Sequence, residues 1–354
     1  MDYKIQIKNI TNSSCLIKTC EDSYGFLTSE ISQNFPKSDL LFVASSEVEM
    51  ENIQKQIQFF APRLEVLNLY GWDCLPYDRV SPKPAILTNR IKTLYQLTTR
   101  ASDKRFLVIT SINSLLQKTI RPSQINNLGL YLKVGSKISL GQISEFLVLK
   151  GYSRQVCANN IGEFAVRGGI IDIVMQQAAD LVGYRIDFFG EEIESIKAFD
   201  PLTQLTQENV KELEVLPASE VIISRNTIET FRHNYRENFG ASIDDQLYAA
   251  ISEGRSYPGM EHWLPFFYNE ELATIFDYLK NPVTFLSDKI FEIAKKKDDV
   301  IKEYYLSRIE AKKEAKLSGN PYNPIEPKLL YLSPDELHQK LGQHIIIELK
   351  QFSA

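Results

Sequence analysis

The first third of the chain alternates short apolar runs with segments of helical periodicity. Apolar runs over 40–44, 64–69 and 105–110 predict buried strands. Helices are predicted over 23–35, 46–60, 85–97 and 112–118, the second capped by Ser45 or Ser46. Strands separated by helices of about 10–15 residues form parallel sheets covered on both faces, so residues 1–118 are predicted to be an α/β domain.

The pattern changes between residues 119 and 216. One helix is predicted over 142–149, followed by short strands over 163–167, 169–174, 184–189, 192–198 and 211–216. Gly190-Glu191 suits a two-residue type II′ hairpin turn, and Gly168-Gly169 suits a tight turn or bulge between two strands. This segment is therefore expected to be a small antiparallel α+β domain inserted into the α/β fold.

Residues 217–354 return to helical periodicity. Helices are predicted over 227–238 and 243–252, and a highly charged stretch over 287–317 is typical of a solvated helix face. A strand-like run follows at 345–349, shortly before the last residue, which favours a longer parent protein. We divide the chain into 1–118, 119–216 and 217–354, and expect the third segment to pack against the first.

One predicted strand carries an unusual surface. Between positions 184 and 189 residues alternate, so Tyr184, Ile186 and Phe188 are predicted to face the core. The opposite face then carries Arg185, Asp187 and Phe189, an arginine, a carboxylate and a bare aromatic ring side by side. That composition is typical of a protein-binding hot spot rather than of a solvated sheet face.

Composition excludes several classes of protein. The 354 residues are 44% hydrophobic and 24% charged, as in ordinary globular proteins, and the net charge of −5 disfavours a protein that coats nucleic acid. No apolar run is long enough to cross a membrane and no signal segment is visible, so we expect a soluble, cytoplasmic protein. The four cysteines lack paired spacing, which disfavours a zinc site and predicts reduced thiols.

The sequence also lacks the motifs of nucleotide-dependent and hydrolytic enzymes. Lys18-Thr19 is the sole pair placed like the end of a phosphate loop, but Leu16 and Ile17 precede it where glycines are required. Glu163 and Asp172 have no nucleophile or metal partner in the sequence and are interpreted as structural. Residues 72–78 are aromatic but acidic, which favours a packed loop over a platform for stacking bases. We therefore predict no cofactor and no catalytic residue.

Three stretches resemble the UvrB-homology module that the excision-repair protein UvrB shares with bacterial transcription-repair coupling factors. They are residues 72–82 with the helix 89–97, residues 163–201, and residues 258–267, which carry LPYD, RIDFF and GMEHW. The resemblance implies a degenerate helicase-like, RecA/P-loop-type parallel-sheet domain with the small domain inserted. It is stronger for the coupling factors, because UvrB's phosphate loop and its long aromatic hairpin after residue 82 have no counterpart here.

The resemblance also implies a function and its residues. It implies a non-catalytic adaptor that recruits UvrA to RNA polymerase stalled at DNA damage; the alternative is a UvrB-type ATP-dependent module that verifies damage. The family's UvrA-binding positions fall on Arg167, Arg185 and Phe189, with Asp187 between the last two. RNA polymerase and double-stranded DNA would bind downstream domains, one of which could mask this surface.

Pairing across the predicted hairpin turn places Phe189 opposite Glu192 and Asp187 opposite Glu194, two glutamates that would form a possible rim. Facing carboxylates are destabilising unless a cation neutralises them. The hypothesis is that Arg167 or Arg185 does so in the free protein, and that UvrA engages the same cluster.

Overall fold

The structure is a computed structural model that describes residues 14–126, 128–177, 180–240, 245–315 and 322–352. Its first sheet has six parallel strands in the order β1-β14-β13-β2-β4-β3. These are β1 (Cys15–Thr19), β2 (Leu40–Ala44), β3 (Val66–Leu69), β4 (Leu107–Ser111), β13 (Val283–Leu286) and β14 (Ile345–Gln351). Every residue of β2, β4 and β13 is buried, as expected for a parallel sheet covered on both faces.

Helices cover both faces of this sheet, and together they form what we call the larger unit. Ser46 caps the second of them by accepting a hydrogen bond from the Glu49 amide at 3.2 Å, as predicted. The α-helices of the larger unit are Tyr24–Ser32, Glu47–Phe60, Pro84–Thr99, Ile112–Leu116, Pro122–Ile125, Arg225–Phe239, Gln246–Ser252, Ile290–Ala315, Pro327–Leu330 and Pro334–Leu341, with 3₁₀ turns at Glu21–Ser23, Met260–Phe267 and Ile275–Tyr278. None of the helices in the described ranges is long and apolar enough to cross a membrane.

The second sheet also has six strands, in the order β11-β10-β9-β8-β7-β6. They are β6 (Ser153–Gln155), β7 (Glu163–Arg167), β8 (Ile170–Gln177), β9 (Asp180–Phe189), β10 (Glu192–Phe199) and β11 (Thr206–Val210). All neighbours are antiparallel except β6 and β7. A two-stranded ribbon, β5 (Leu130–Lys133) with β12 (Glu212–Val215), and the helix Leu140–Leu149 complete this unit. A parallel-sheet domain with a small, mostly antiparallel domain inserted is the predicted fold class, which is confirmed.

Two of the stretches that carry the family resemblance pack directly against each other. The Ser81 hydroxyl donates to the Glu261 carboxylate at 2.7 Å and accepts from the Gly259 amide at 2.9 Å. Gly259 has φ +78°, and a Cβ there would lie 2.9 Å from the carbonyl oxygen of Asp78, so glycine is required. Tyr77 is fully buried against the His262 ring, which agrees with a packed loop rather than a base-stacking platform.

A buried ion pair ties the inserted unit to the larger one. Arg90, in the helix Pro84–Thr99, donates from Nε to Glu220 Oε2 at 2.7 Å, and both side chains are fully buried. Glu220 follows the last strand of the inserted unit, while Thr119, which precedes the first, donates its hydroxyl to the same carboxylate. Entry and exit of the inserted unit therefore meet at one carboxylate that is anchored to the larger unit.

Candidate protein-binding surface

The predicted functional strand, β9, lies in the middle of the second sheet. Tyr184 and Ile186 are buried in the core of this unit and Phe188 packs partly against it, as predicted. Arg185, Asp187 and Phe189 lie on the opposite face, which we call the outer face. The strand pairings bring Asp172 and Lys197 beside Arg185, and Ile170 and Ser195 beside Asp187.

Arg185 is engaged within the sheet rather than presented freely to solvent. Its Nε and Nη2 donate to Asp172 Oδ1 and Oδ2 at 2.8 and 2.9 Å, a bidentate pair in which the Asp172 side chain is 3% exposed. The guanidinium also lies 4.8 Å from the centre of the Phe199 ring. Arg185 is therefore only partly exposed on the outer face, because a carboxylate on β8 and a ring on β10 cover most of it.

Asp187 is neutralised by a lysine that sequence analysis did not consider. Its Oδ2 accepts from Ser195 Oγ at 2.6 Å and from Lys197 Nζ at 2.9 Å. Partial burial raises the pKa of Asp187, but these two hydrogen bonds and the charges of Lys197 and Arg185 outweigh it, so the pKa lies below its ordinary value. The hypothesis that Arg167 or Arg185 supplies the pairing cation is corrected: Lys197 makes the direct ion pair, and Arg185 contributes only its nearby charge.

The predicted pairing of Asp187 with Glu194 is also wrong. Phe189 faces Glu192 as predicted, but the register shifts between Ile193 and Ser195, so Asp187 faces Ser195 instead. A bulge of this kind places one extra residue on one strand. Glu194 is that residue, and it is exposed at the edge of the surface together with Glu192.

Phe189 stands at the tip of the β9–β10 hairpin with 81% of its surface exposed. Gly190 has φ +63° and Glu191 has no positive φ, which confirms the predicted type II′ turn. The loop between β5 and the helix Leu140–Leu149 supports the start of β10. Ile193 N donates to Ser136 O at 3.1 Å, and Ile138 N donates to Glu191 O at 2.9 Å. The solvent-exposed Phe189 ring therefore lies on a hairpin whose backbone is fixed by hydrogen bonds.

Arg167 is exposed at the end of β7, next to the Gly168 turn, where φ is +60° as the predicted tight turn requires. Its Nε donates to the carbonyl oxygen of Val156 at 3.3 Å, which leaves the other guanidinium nitrogens available to a partner. Arg167 pairs with Ile170, which pairs with Asp187. Two strand spacings, about 10 Å, therefore separate Arg167 from the β9 row that ends in Phe189.

The region where a phosphate loop would lie is built differently. β1 ends at Thr19, and Cys20 alone separates it from the turn Glu21–Ser23 and the following helix. Lys18 is exposed on β1, and Thr19 contacts Ser23 through its hydroxyl. Partial burial and the negative charges of Glu49 and Asp22 raise the pKa of Glu21, so the surroundings disfavour further negative charge. Within the described residues no group of three or more His, Cys, Asp or Glu side chains could hold a metal.

Residues 130–221 match the family described as the UvrB interaction domain. This range covers nearly all of the inserted unit, including Arg167, Arg185, Asp187 and Phe189. The inserted unit is therefore similar to UvrB interaction domains, and the parallel α/β unit carries it.

The wider chain resembles larger repair proteins. It is 35% identical over 309 residues to the transcription-repair-coupling factor of Rickettsia bellii, a match over 87% of this chain and 27% of that protein. The Escherichia coli transcription-repair-coupling factor is 30% identical over 310 residues, 85% of this chain and 26% of that protein. The chain thus spans about a quarter of the length of these relatives. Most of this chain is therefore similar to one part of the transcription-repair-coupling factors.

Proposed function

We propose that this chain is a non-catalytic adaptor that binds UvrA through the outer face of its inserted domain and so recruits UvrA to RNA polymerase stalled at DNA damage. The observation that carries the proposal is the hairpin tip, where Phe189 is 81% exposed on a braced backbone within a matched UvrB interaction domain. Large exposed aromatic side chains beside arginine are the usual anchors of protein interfaces.

The side chains have different roles in this proposal. Arg167 and Phe189 are the contact anchors, because both are exposed and Arg167 forms no ion pair among the described residues. Arg185 and Asp187 position them, since their pairs with Asp172 and Lys197 fix the strands between the two anchors. Glu192 and Glu194 form the acidic rim, which affects the rate and specificity of encounter more than affinity.

The alternative, a UvrB-type ATP-dependent damage verifier, has less support. A phosphate loop needs several backbone amides directed at one anion, whereas Cys20 alone links β1 to the next turn. RNA polymerase and double-stranded DNA would contact other parts of a longer protein, and one of those parts would compete with UvrA if it masked the outer face.

A titration of purified UvrA tests the proposal. The whole chain is compared with an Arg167→Ala, Phe189→Ala double variant, and we expect binding at least about 30-fold weaker in the variant. The matched control removes the same two residue types from the larger unit, as Phe59→Ala, Arg63→Ala, both exposed there. Equal binding by all three proteins, or no binding by the unaltered chain, would contradict the proposal.

A further inference from the structure

Two loops on the outer face carry exposed apolar side chains that the family resemblance did not single out. Val156 is 91% exposed, Leu202 85% and Leu205 69%. We call these three residues the outer-loop patch. Isolated exposed apolar side chains are common, but three on adjoining loops of one small domain form a local apolar area.

Both loops are ordered by side chain to backbone hydrogen bonds. Glu163 accepts from the amides of Asn159 and Asn160 at 3.0 and 2.9 Å. In the other loop, Asp200 Oδ1 accepts from the amides of Leu202 and Thr203 at 2.8 and 3.1 Å. These hydrogen bonds fix the backbone of both loops, from which the patch side chains project into solvent.

The two loops are joined to each other and cover a small core of their own. Gln204 Nε2 donates to the carbonyl oxygen of Ala158 at 3.2 Å and to that of Pro201 at 2.8 Å. Beneath them Ala158, Ala165, Val174 and Phe199 form a separate buried cluster on the outer face. The loops thus have an apolar cluster below them and still direct Val156 and Leu202 into water.

The patch is continuous with the proposed UvrA surface. Arg167 donates its Nε hydrogen to the Val156 carbonyl, so the first patch residue adjoins one of the two anchors. Along β9, Gly183 lies six positions before Phe189, a span of roughly 20 Å, and it pairs with Phe199 beneath the loops. A typical interface covers about 800 Å² per partner, an area roughly 30 Å across, and would reach both ends.

We infer that the outer-loop patch is the apolar part of the same docking surface, and that a partner which engages Arg167 and Phe189 also buries Val156 and Leu202. This inference rests on the proposed function and adds the kind of partner surface required: an apolar area next to a site for the Arg167 guanidinium. Preformed loops lose little conformational entropy on binding, so small apolar side chains contribute efficiently there.

The test is a titration of UvrA against the whole chain and its Val156→Ser, Leu202→Ser double variant. We expect binding about tenfold weaker with an unchanged melting temperature. The control is Phe59→Ser, which removes a 79% exposed ring from the other unit and should leave binding unchanged.

The outcomes separate the two proposals. No binding by the unaltered chain contradicts the proposed function itself. Binding that needs Arg167 and Phe189 but is the same within twofold in the patch variant overturns only this inference, because the footprint then ends at Arg167. Self-association of the unaltered chain that the patch variant abolishes, with UvrA binding retained, would assign the patch to a second copy and also overturn it.

Discussion

Arg185 and Asp172 form two parallel hydrogen bonds, at 2.8 and 2.9 Å, across neighbouring strands of the inserted domain. Removing Arg185 would leave Asp172, nearly inaccessible to water, without its cation. We expect Arg185→Ala to lower the stability of this domain by about 2–3 kcal/mol, less than for a fully buried pair because Arg185 keeps some contact with water. Amide hydrogen exchange at β8 and β9 measures the loss.

A double-mutant cycle provides the control for that prediction. Arg185→Ala, Asp172→Ala should cost less than the sum of the single changes, because no buried charge remains unpaired. If the stability losses of the two single variants were strictly additive, a direct interaction between Arg185 and Asp172 would be contradicted. Charge reversal at Arg185 is therefore a poor test of partner binding, since it also weakens the fold; Arg167 and Phe189 are the better positions.

Gly183 allows Phe199 to lie flat on the outer face beneath Arg185. A Cβ at Gly183 would collide with the Phe199 ring, so Gly183→Ala must displace the ring from the guanidinium 4.8 Å above it. We expect Gly183→Ala to destabilise the inserted domain by about 1–3 kcal/mol. Thermal melting checks this, and the cost should fall when Phe199→Leu is already present; an equal cost in both backgrounds would argue against the contact.

The Arg90–Glu220 pair predicts a larger effect, because both side chains are fully buried. Arg90→Met should destabilise the chain by about 3–5 kcal/mol, since Glu220 would keep only the Thr119 hydroxyl as a side-chain partner among the hydrogen bonds described. Adding Glu220→Gln should recover part of that loss. The measurement is chemical unfolding of the two variants beside the unaltered chain, and a loss below about 1 kcal/mol for Arg90→Met would contradict the assignment.

Glu261 gives a prediction that depends on pH. Burial raises the pKa of its carboxyl to about 7, from an ordinary value of 4.5. The folded state thus holds a proton that the unfolded state releases, so this group's contribution to stability is complete below pH 4.5 and is lost as pH rises through 7. Glu261→Gln cannot ionise, and we expect it to gain up to about 3 kcal/mol relative to the unaltered chain between pH 5 and pH 8.

The neighbouring His262 also makes stability depend on pH, so it affects any measurement of the Glu261 effect. Burial lowers its pKa to about 4, so its contribution has the opposite sign and grows as pH rises from 4 to 6.5. The two effects therefore oppose each other in the unaltered chain. Comparing Glu261→Gln with the unaltered chain at each pH removes the His262 contribution, and a difference independent of pH would contradict the raised pKa of Glu261.

Local patterns predicted most of the elements and the turn chemistry. The strand at 40–44 and the cap at Ser46 follow from residues next to each other in sequence. In the parallel sheet, β1 and β13 were missed, because β1 is a half-exposed edge strand and β13 has four residues, and both depend on partners distant in sequence. In the inserted unit, β5, β6 and β11 were missed as well.

The candidate surface was predicted in composition but not in detail. Alternation correctly placed Arg185, Asp187 and Phe189 on one face, yet the bulge at Glu194 shifted every later partner on β10 by one residue. Counting back from the turn therefore could not find Lys197 as the cation of Asp187. The pairing of Arg185 with Asp172 depends on the register of β8 with β9, which no local pattern reveals.

The order of strands in the parallel sheet has a consequence for synthesis. Within the described residues β1 pairs with β14 alone, and Ile346 N donates to Ser14 Oγ across 332 positions of sequence. β1 therefore cannot pair within the sheet until β14 has been synthesised. The UvrB interaction domain, contained within 130–221, closes on its own strands much earlier. During translation the outer face can therefore be complete before the parallel sheet that carries the inserted domain.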